Sequence, residues 1–326
     1  MLLSLGLVLV GFVFLVWGAD RFVAGASALA HNLGVSPLII GLTVIGFGTS
    51  APEMVVSGVA ALRGNPGLAV GNAVGSNIAN MALVLGVAAI IYPLQVHSDT
   101  LKREYPILLI VTLTSLFLLG DQNLSLIDGF VLLTGLMMMT TWMAVIDMQR
   151  AGPDPMAAEF ASEIPSDMST QFAVGWLFLG MIVLPASSQI LVMGAIDVAE
   201  RLGVSDLVIG LTVVAVGTSL PELAAAVAST LKREHELVIG NIIGSNMFNL
   251  LGVLGIAAVI EPTRIESLVL YRDFSVMLGL SVLLFLMSYG FRGPGRISRL
   301  SGVILIGIYL AYQFLVFYTE YGKQAG

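Results

Sequence analysis

The chain has 326 residues, of which 57% are hydrophobic and 11% charged, with a net charge of −7 and a mean hydropathy of +0.96. A soluble domain carries about 25% charged residues, so this composition describes a polytopic membrane protein, and its spread negative charge argues against nucleic-acid binding. There is no cysteine, which excludes disulfides, thiolate nucleophiles and thiolate metal ligands.

The first apolar run, Leu2 to Trp17, has no basic residue ahead of it. A secretory signal needs a positive n-region, so the run is read as a retained first helix. At about 20 apolar residues per crossing, spans are predicted near 2–30, 37–62, 67–92, 105–119 and 126–147. A second set follows near 172–200, 206–231, 236–261, 273–290 and 297–318. The expected fold class is all-α, with ten transmembrane helices in two inverted five-helix repeats, residues 1–147 and 172–326. The polar linker, 148–171, carries Asp154, Glu159, Glu163 and Asp167 with Pro153, Pro155 and Pro165, and its expected role is a tether between halves.

The halves are copies. Gly48-Thr49-Ser50-Ala51-Pro52-Glu53 recurs as Gly217-Thr218-Ser219-Leu220-Pro221-Glu222, an offset of 169 residues. The same offset carries Gly71, Asn72, Gly75, Ser76, Asn77 and Asn80 onto Gly240, Asn241, Gly244, Ser245, Asn246 and Asn249. It also carries Gly41-Leu42-Thr43 onto Gly210-Leu211-Thr212, and Pro93 onto Pro262. A unit with an odd number of crossings, duplicated in tandem, inserts its second copy upside down, the plan of many secondary transporters. Lysine and arginine set the orientation. With the N-terminus outside, nine (Arg21, Lys102, Arg103, Arg150, Lys232, Arg233, Arg292, Arg296, Arg299) lie inside and five (Arg63, Arg201, Arg264, Arg272, Lys323) outside. Both termini are therefore expected outside and the linker in the cytoplasm.

Each duplicated motif puts one carboxylate inside an apolar run. Pro52 lacks an N–H and clashes with the carbonyl four residues back, that of Gly48, and Pro221 does the same to Gly217. The helix is expected to break there and to leave carbonyl oxygens exposed as hard donors. Ser50 shares a helix face with Glu53, and Ser76 shares one with Asn80; the copies are Ser219 with Glu222 and Ser245 with Asn249. Carboxylates at this depth are costly and need a partner, yet no lysine or arginine lies in the four motif-bearing spans. The donors are all oxygens, which fits Na⁺, Ca²⁺ or Mg²⁺ rather than zinc or copper. A competing reading takes Ser50-x-x-Glu53 and Ser219-x-x-Glu222 as helix capping boxes. Gly71 and Gly75 are expected to serve helix packing, and Asn77 and Asn246 to stand behind the donors.

Other residues receive plainer readings. His31, His97 and His235 are placed in loops, as are His97-Ser98-Asp99 and Tyr271-Arg272-Asp273. Met137-Met138-Met139 is expected to face lipid, and Asp20 with Arg21 to form an interfacial charge pair.

The double motif, Gly-Thr-Ser-x-Pro-Glu followed by Gly-Asn-x-x-Gly-Ser-Asn-x-x-Asn, resembles the α-repeats of the sodium/calcium exchanger family, in the larger superfamily of calcium/cation antiporters. The resemblance covers the whole chain in its short prokaryotic form. It implies a secondary antiporter of the inner membrane, not an enzyme, that exports Ca²⁺ in exchange for Na⁺ by alternating access. Its partners would be these ions and the lipid bilayer, with no other cofactor. By the same resemblance Glu53 and Glu222 are the central carboxylate ligands. Thr49, Ser50, Thr218 and Ser219 add oxygens from the broken helices, Gly46 and Ala215 offer backbone carbonyls, and Ser76, Asn80, Ser245 and Asn249 complete the sites. Some relatives carry aspartate where this chain has Asn249, potassium-dependent exchangers among them, so Asn249 counts against potassium dependence. The helices 2–30 and 172–200 would slide across the rest. H⁺/Ca²⁺ exchange on the same scaffold is the alternative, and a cation channel the reading from a different class.

Inverted halves require the turns at 62–67 and 231–236 to face opposite sides of the membrane. Single cysteines at Asn65 and Glu234 are expected to react with an impermeant maleimide from opposite sides of sealed vesicles. Reaction of both from one side refutes the inversion.

Overall fold

The computed structural model describes residues 1–40, 44, 46–96, 99–149, 155–165, 167–288 and 295–325. Gly41, Leu42, Thr43, His97, Ser98, Arg150, Pro153, Asp154 and Arg292, all named above, lie outside them. The apolar runs fold as helices because a bilayer core offers no other partner to backbone N–H and C=O groups.

In chain order, α1 (Leu2–Asn32) is followed by the short pieces α2 (Pro37–Ile39), α3 (Gly46–Thr49) and α4 (Ala51–Leu62). Then come α5 (Pro66–Ile91), α6 (Asp99–Leu118), α7 (Leu126–Gln149) and the linker helix α8 (Pro155–Glu163). The second half holds α9 (Thr170–Leu202), α10 (206–218), α11 (Leu220–Lys232), α12 (His235–Ile260), α13 (Val269–Ser288) and α14 (Arg299–Ala325). Among the described residues nine helical stretches are long and apolar enough to cross a membrane. Of the tenth span, expected at 37–62, the described residues hold α2, α3 and α4, with the break of the motif between α3 and α4. The motif-following helices α5 and α12 form the centre, with 78% and 89% of their apolar windows buried.

Two small antiparallel sheets tie loops of one half to loops of the other: β1 (Leu94–Val96) with β4 (Gly295–Ile297), and β2 (Asn123–Leu124) with β3 (Thr263–Arg264). The 169-residue offset takes the start of β1, Leu94, onto the start of β3, Thr263.

The longest helix contact, α1 against α9, follows a stripe of small residues at seven-residue spacing on each helix, Gly11, Gly18 and Gly25 on α1 and Gly180, Ser187 and Gly194 on α9. A Cβ added at Gly11 would lie 2.7 Å from Leu191 Cβ, and one at Gly180 would lie 2.6 Å from Phe22 Cβ. Leu191 is the offset partner of Phe22, and Gly180 that of Gly11. One contact is thus made twice with the halves exchanged, as a twofold axis between the helices demands. Close approach of backbones is what small residues permit in a membrane. Polar clasps close both ends. Ser4 Oγ donates to Asp197 Oδ2, which also accepts Arg201 Nε at 2.8 Å. At the other end Asn32 Nδ2 donates to Met168 O at 3.0 Å and to Thr170 Oγ1 at 3.2 Å.

Several expectations need correction. His31 lies in the last turn of α1 and His235 opens α12, its ring stacked on Tyr92 at 5.4 Å, so neither is a loop residue. Met137 and Met138 are exposed, but Met139 turns inward and is buried. Asp20 and Arg21 do pair, at 3.3 Å, with Arg21 also over the Trp176 ring. Tyr271-Arg272-Asp273 is no loop: it lies in the π-helical first turns of α13. There Arg272 grips Asp273 through two hydrogen bonds of 2.6 and 3.0 Å, and the Tyr312 hydroxyl donates to the same carboxylate at 3.0 Å. Burying a charged pair is tolerated only when both partners are present and hydrogen-bonded.

The linker is more than a tether. α8 packs on α2 of the first half and on α12 of the second. Phe160 and Ile164 are buried beneath it. Its polar side clamps the α11–α12 turn: Glu159 Oε2 accepts the Leu237 N–H at 2.7 Å, Ser162 Oγ donates to Glu234 Oε1 at 2.9 Å, and Lys232 Nζ donates to Glu163 Oε1 at 2.5 Å. A carboxylate at a helix N-terminus is favourable. Burial nevertheless pushes the Glu159 carboxyl up to about 7; Glu236 and Glu234 add to the rise, and the Leu237 N–H opposes it. Its affinity for protons is therefore greater docked than free, where the ordinary value is 4.5. Docking is favoured in acid, and this contribution is lost as pH rises through about 7. An environment-sensitive fluorophore on Ala161→Cys should report release of α8 across that range, and Glu159→Gln should flatten the titration. An unchanged titration in Glu159→Gln refutes the assignment.

Candidate cation site

The site is built where the proline motifs interrupt two helices. α3 ends at Thr49, Ser50 takes φ −87° and ψ 0°, and α4 restarts with Pro52 in its first turn. The copy is close: Thr218 ends α10, Ser219 takes φ −82° and ψ 4°, and α11 restarts with Pro221 in its first turn. Neither serine side chain caps the helix that follows it. The capping-box reading therefore fails, since a capping serine must accept a backbone N–H at the helix start. Both hydroxyl oxygens are buried with no partner in the protein.

The facing helices contribute from π-helical turns, which are frequent at functional sites because the extra residue re-aims a side chain. One such turn begins at Ala79 and the other at Asn249; the Leu85 N–H reaches back five residues to Asn80 O, and the Leu254 N–H to Asn249 O. Asn80 and Asn249 are fully buried, and neither amide has a hydrogen-bond partner in the protein.

Contacts across the halves bring the rest together. Thr49 Oγ1 lies 3.2 Å from Ser245 Oγ, and Thr218 Oγ1 lies 3.3 Å from Ser76 Oγ, the same pair with halves exchanged. Thr49 also reaches Gly46 O at 3.2 Å, and Thr218 reaches Ala215 O at 3.3 Å. Ala215 O accepts the Ser219 N–H at 3.0 Å as well, so that carbonyl already has a backbone partner. Ser245 Oγ approaches Glu222 Oε1 at 3.4 Å. Glu53 and Glu222 are fully buried and close enough to repel each other. Both oxygens of Glu53 and Oε2 of Glu222 lack a donor at hydrogen-bonding distance. Ten of the twelve residues singled out above thus sit at the two breaks or touch them, and Asn80 and Asn249 lie one turn beyond Ser76 and Ser245 on the facing helices.

Among the described residues no group of three or more His, Cys, Asp or Glu side chains is placed to hold a metal ion. The site is two carboxylates among neutral hydroxyl, amide and carbonyl oxygens. A buried polar group without a partner costs several kcal/mol, and a buried charge more. Unpaired acceptors converging on one place describe a seat for a hard cation.

Two residues were missed. Asn72 Oδ1 accepts the Thr218 hydroxyl at 3.0 Å, and Asn241 Oδ1 accepts that of Thr49 at 3.1 Å. Their signal was present, since each stands four residues before Ser76 or Ser245 on the same helix face. Asn77 and Asn246 do stand aside: Asn77 Nδ2 donates to Asn246 O at 3.1 Å, a contact between offset partners on the approximate axis. Gly71 and Gly75 pack as expected, since an added Cβ would meet Leu207 O at 2.4 Å and Ala215 Cβ at 2.7 Å.

Comparison with known proteins agrees with this geometry. The profile of the family described as "Sodium/calcium exchanger protein" matches residues 3–145 and 172–318. The chain is 47% identical over 317 residues to the putative antiporter CaxA of Alkalimonas amylolytica, covering 97% of this chain and 99% of that protein. It is 40% identical to inner membrane protein YrbG of Escherichia coli, with 98% of each covered, and 33% identical to sodium/calcium exchanger MaX1 of Methanosarcina acetivorans, with 96% and 98% covered. Among solved structures it resembles the sodium-calcium exchanger NCX_Mj soaked with Na⁺ and Sr²⁺, at TM-score 0.67 and 32% identity over 95% of this chain and 97% of that one. A duplicated carboxylate motif at paired helix breaks and a family match through both halves lead to one assignment: this chain is a multi-pass membrane transporter, not an enzyme, and belongs to the sodium/calcium exchanger family.

Proposed function

We propose that the protein exports Ca²⁺ across the inner membrane in exchange for Na⁺, with Glu53 and Glu222 as the shared carboxylates. The observation that carries this reading is the pair of fully buried glutamates with no basic residue in the motif-bearing spans. Their joint charge of −2 is matched by one Ca²⁺ or by Na⁺ ions on the neighbouring oxygens. Thr49, Ser50, Ser76, Asn80, Gly46 and their partners Thr218, Ser219, Ser245, Asn249 and Ala215 supply those oxygens. Moving the empty charged site through a low-dielectric barrier is costly, so one ion must leave in order for another to be carried back. That is exchange rather than conduction.

The test is Ca²⁺ uptake into proteoliposomes under an imposed Na⁺ gradient, with a pH gradient alone as the comparison. Flux is expected with the Na⁺ gradient and absent with the pH gradient; the reverse result moves the assignment to H⁺ coupling. Ca²⁺ passing down its gradient with no exchangeable ion opposite indicates a channel. Glu53→Gln and Glu222→Gln keep the shape and remove one charge each. Both are expected to abolish Ca²⁺ flux while inserting normally, and near-parental flux in either overturns the two-carboxylate site.

Alternating access is supported by an asymmetry between offset partners. α4 is buried along nearly its whole length, packed with α9 through Val55, Val56 and Val59 against Leu184, Leu191 and Val192. Its copy α11 leaves Leu220, Ala224, Ala228 and Leu231 exposed. The α1/α9 pair therefore covers one half and bares the other. With both termini outside, the bare face lies on the cytoplasmic side, beside the linker. When the pair slides, coverage of α4 and α11 should exchange. Ala228→Cys is expected to react with maleimide at rest, and its offset partner Val59→Cys to gain reactivity during turnover. Val59→Cys that stays inert under every ion condition rules the motion out.

A further inference from the structure

The structure assigns Asn72 and Asn241 as positioning residues: each takes the hydroxyl proton of a threonine from the opposite half and thereby turns that threonine's lone pairs toward the cation. This rests on the cation site proposed above.

A threonine hydroxyl has one proton and two lone pairs. It serves a cation only if the proton points away, toward a group that can accept it. Thr218 Oγ1 lies 3.0 Å from Asn72 Oδ1, its shortest hydrogen bond, and 3.3 Å from Ala215 O. The Asn72 amide is itself held in one orientation. Its Nδ2 lies 3.3 Å from the Glu53 backbone carbonyl, which can only accept, and 3.0 Å from Ser57 Oγ. Turning the amide over would set two acceptors against each other at Glu53 and present an NH₂ to Thr218. The hydroxyl would then accept, and its proton would face the cation. The order of donors and acceptors therefore runs from the Glu53 carbonyl through Asn72 to Thr218.

The second half repeats the contact but not the anchor. Thr49 Oγ1 lies 3.1 Å from Asn241 Oδ1. The offset partner of Ser57 is Ala226, which has no hydroxyl, and Asn241 Nδ2 is buried without a partner. Nothing on that side fixes the amide. Thr218 is thus preset for a cation, whereas Thr49 must be set when the ion arrives. The two halves, alike in ligand type, differ in readiness: Asn72 Nδ2 holds two contacts, to the Glu53 carbonyl and to Ser57 Oγ, whereas Asn241 Nδ2 holds neither, and the one side-chain change between them is a hydroxyl at position 57 against a methyl at 226.

Two conservative exchanges test this, with initial Ca²⁺ flux in proteoliposomes measured against Ca²⁺ concentration. Ser57→Ala removes the shorter of the two contacts that hold the Asn72 amide and should raise the apparent KM for Ca²⁺ by about two- to tenfold, the worth of one hydrogen bond, at unchanged maximal rate. Ala226→Ser supplies the missing anchor and should lower KM by a similar factor. Opposite shifts at constant maximal rate and constant melting temperature are not produced by loss of packing. Asn72→Leu, which deletes the acceptor, should raise KM further than Ser57→Ala. Parental KM in both exchanges, while Glu53→Gln is inactive, overturns the positioning role and leaves the site standing. Parental flux in Glu53→Gln removes the site itself, and the positioning role with it.

Discussion

A proline in the middle of a membrane helix leaves a carbonyl that no water can reach. The rest of this structure depends on that constraint. Pro52 and Pro221 force breaks at Ser50 and Ser219, where both residues adopt nearly the same backbone angles. A break at that depth is stable only where it lines something polar. The buried glutamates, the unpartnered serine and asparagine oxygens and the π-helical turns at Asn80 and Asn249 all gather there. Each would be a defect alone. Together they are what the proposed cation seat would draw on.

Much of this was legible in the residues. The 169-residue offset needs only letters, and the chemistry of proline and glutamate in an apolar run needs only the bilayer as solvent. The charged-residue reading failed where charge and burial coincide. Tyr271-Arg272-Asp273 looked like a loop, because an arginine in an apolar run is the usual end of a span. The structure instead neutralises it in place with Asp273 and Tyr312. The offset held a hint, since Arg103-Glu104 is the same kind of dipeptide one repeat earlier. Asn72 and Asn241 were passed over for a different reason. Each shares a helix face with Ser76 or Ser245, but periodicity within one helix does not name the partner, Thr218 or Thr49, in the opposite half. The linker was misread because it is judged by its prolines and acids. Its two apolar anchors, Phe160 and Ile164, are four residues apart and matter only once α2 and the α11–α12 turn stand beneath them.

The linker also makes contacts in both halves. α8 sits on the end of α12, and α12 carries Ser245 and Asn249 to the site. The same segment leads, through Met168 and Thr170, to the polar clasp with Asn32 at the end of the α1/α9 pair. The linker and the start of α9 therefore touch both the start of α12 and the end of the α1/α9 pair.

The twofold packing of α1 on α9 has a thermodynamic consequence. A contact that maps onto itself when the halves are exchanged has the same energy wherever the pair rests, so it contributes nothing to the preference between positions. The preference must come from what the pair meets. On α4 it meets Ala51, Val55 and Val59; the offset partners on α11 are Leu220, Ala224 and Ala228, so the first pair favours α11 and the other two favour α4. Each valine buries two more carbons than the alanine opposite, and a buried methylene is worth about 0.8 kcal/mol. In the proposed motion the resting bias of the transporter is therefore written in side-chain volume on two short rows of apolar residues, remote from the ions and independent of their charge.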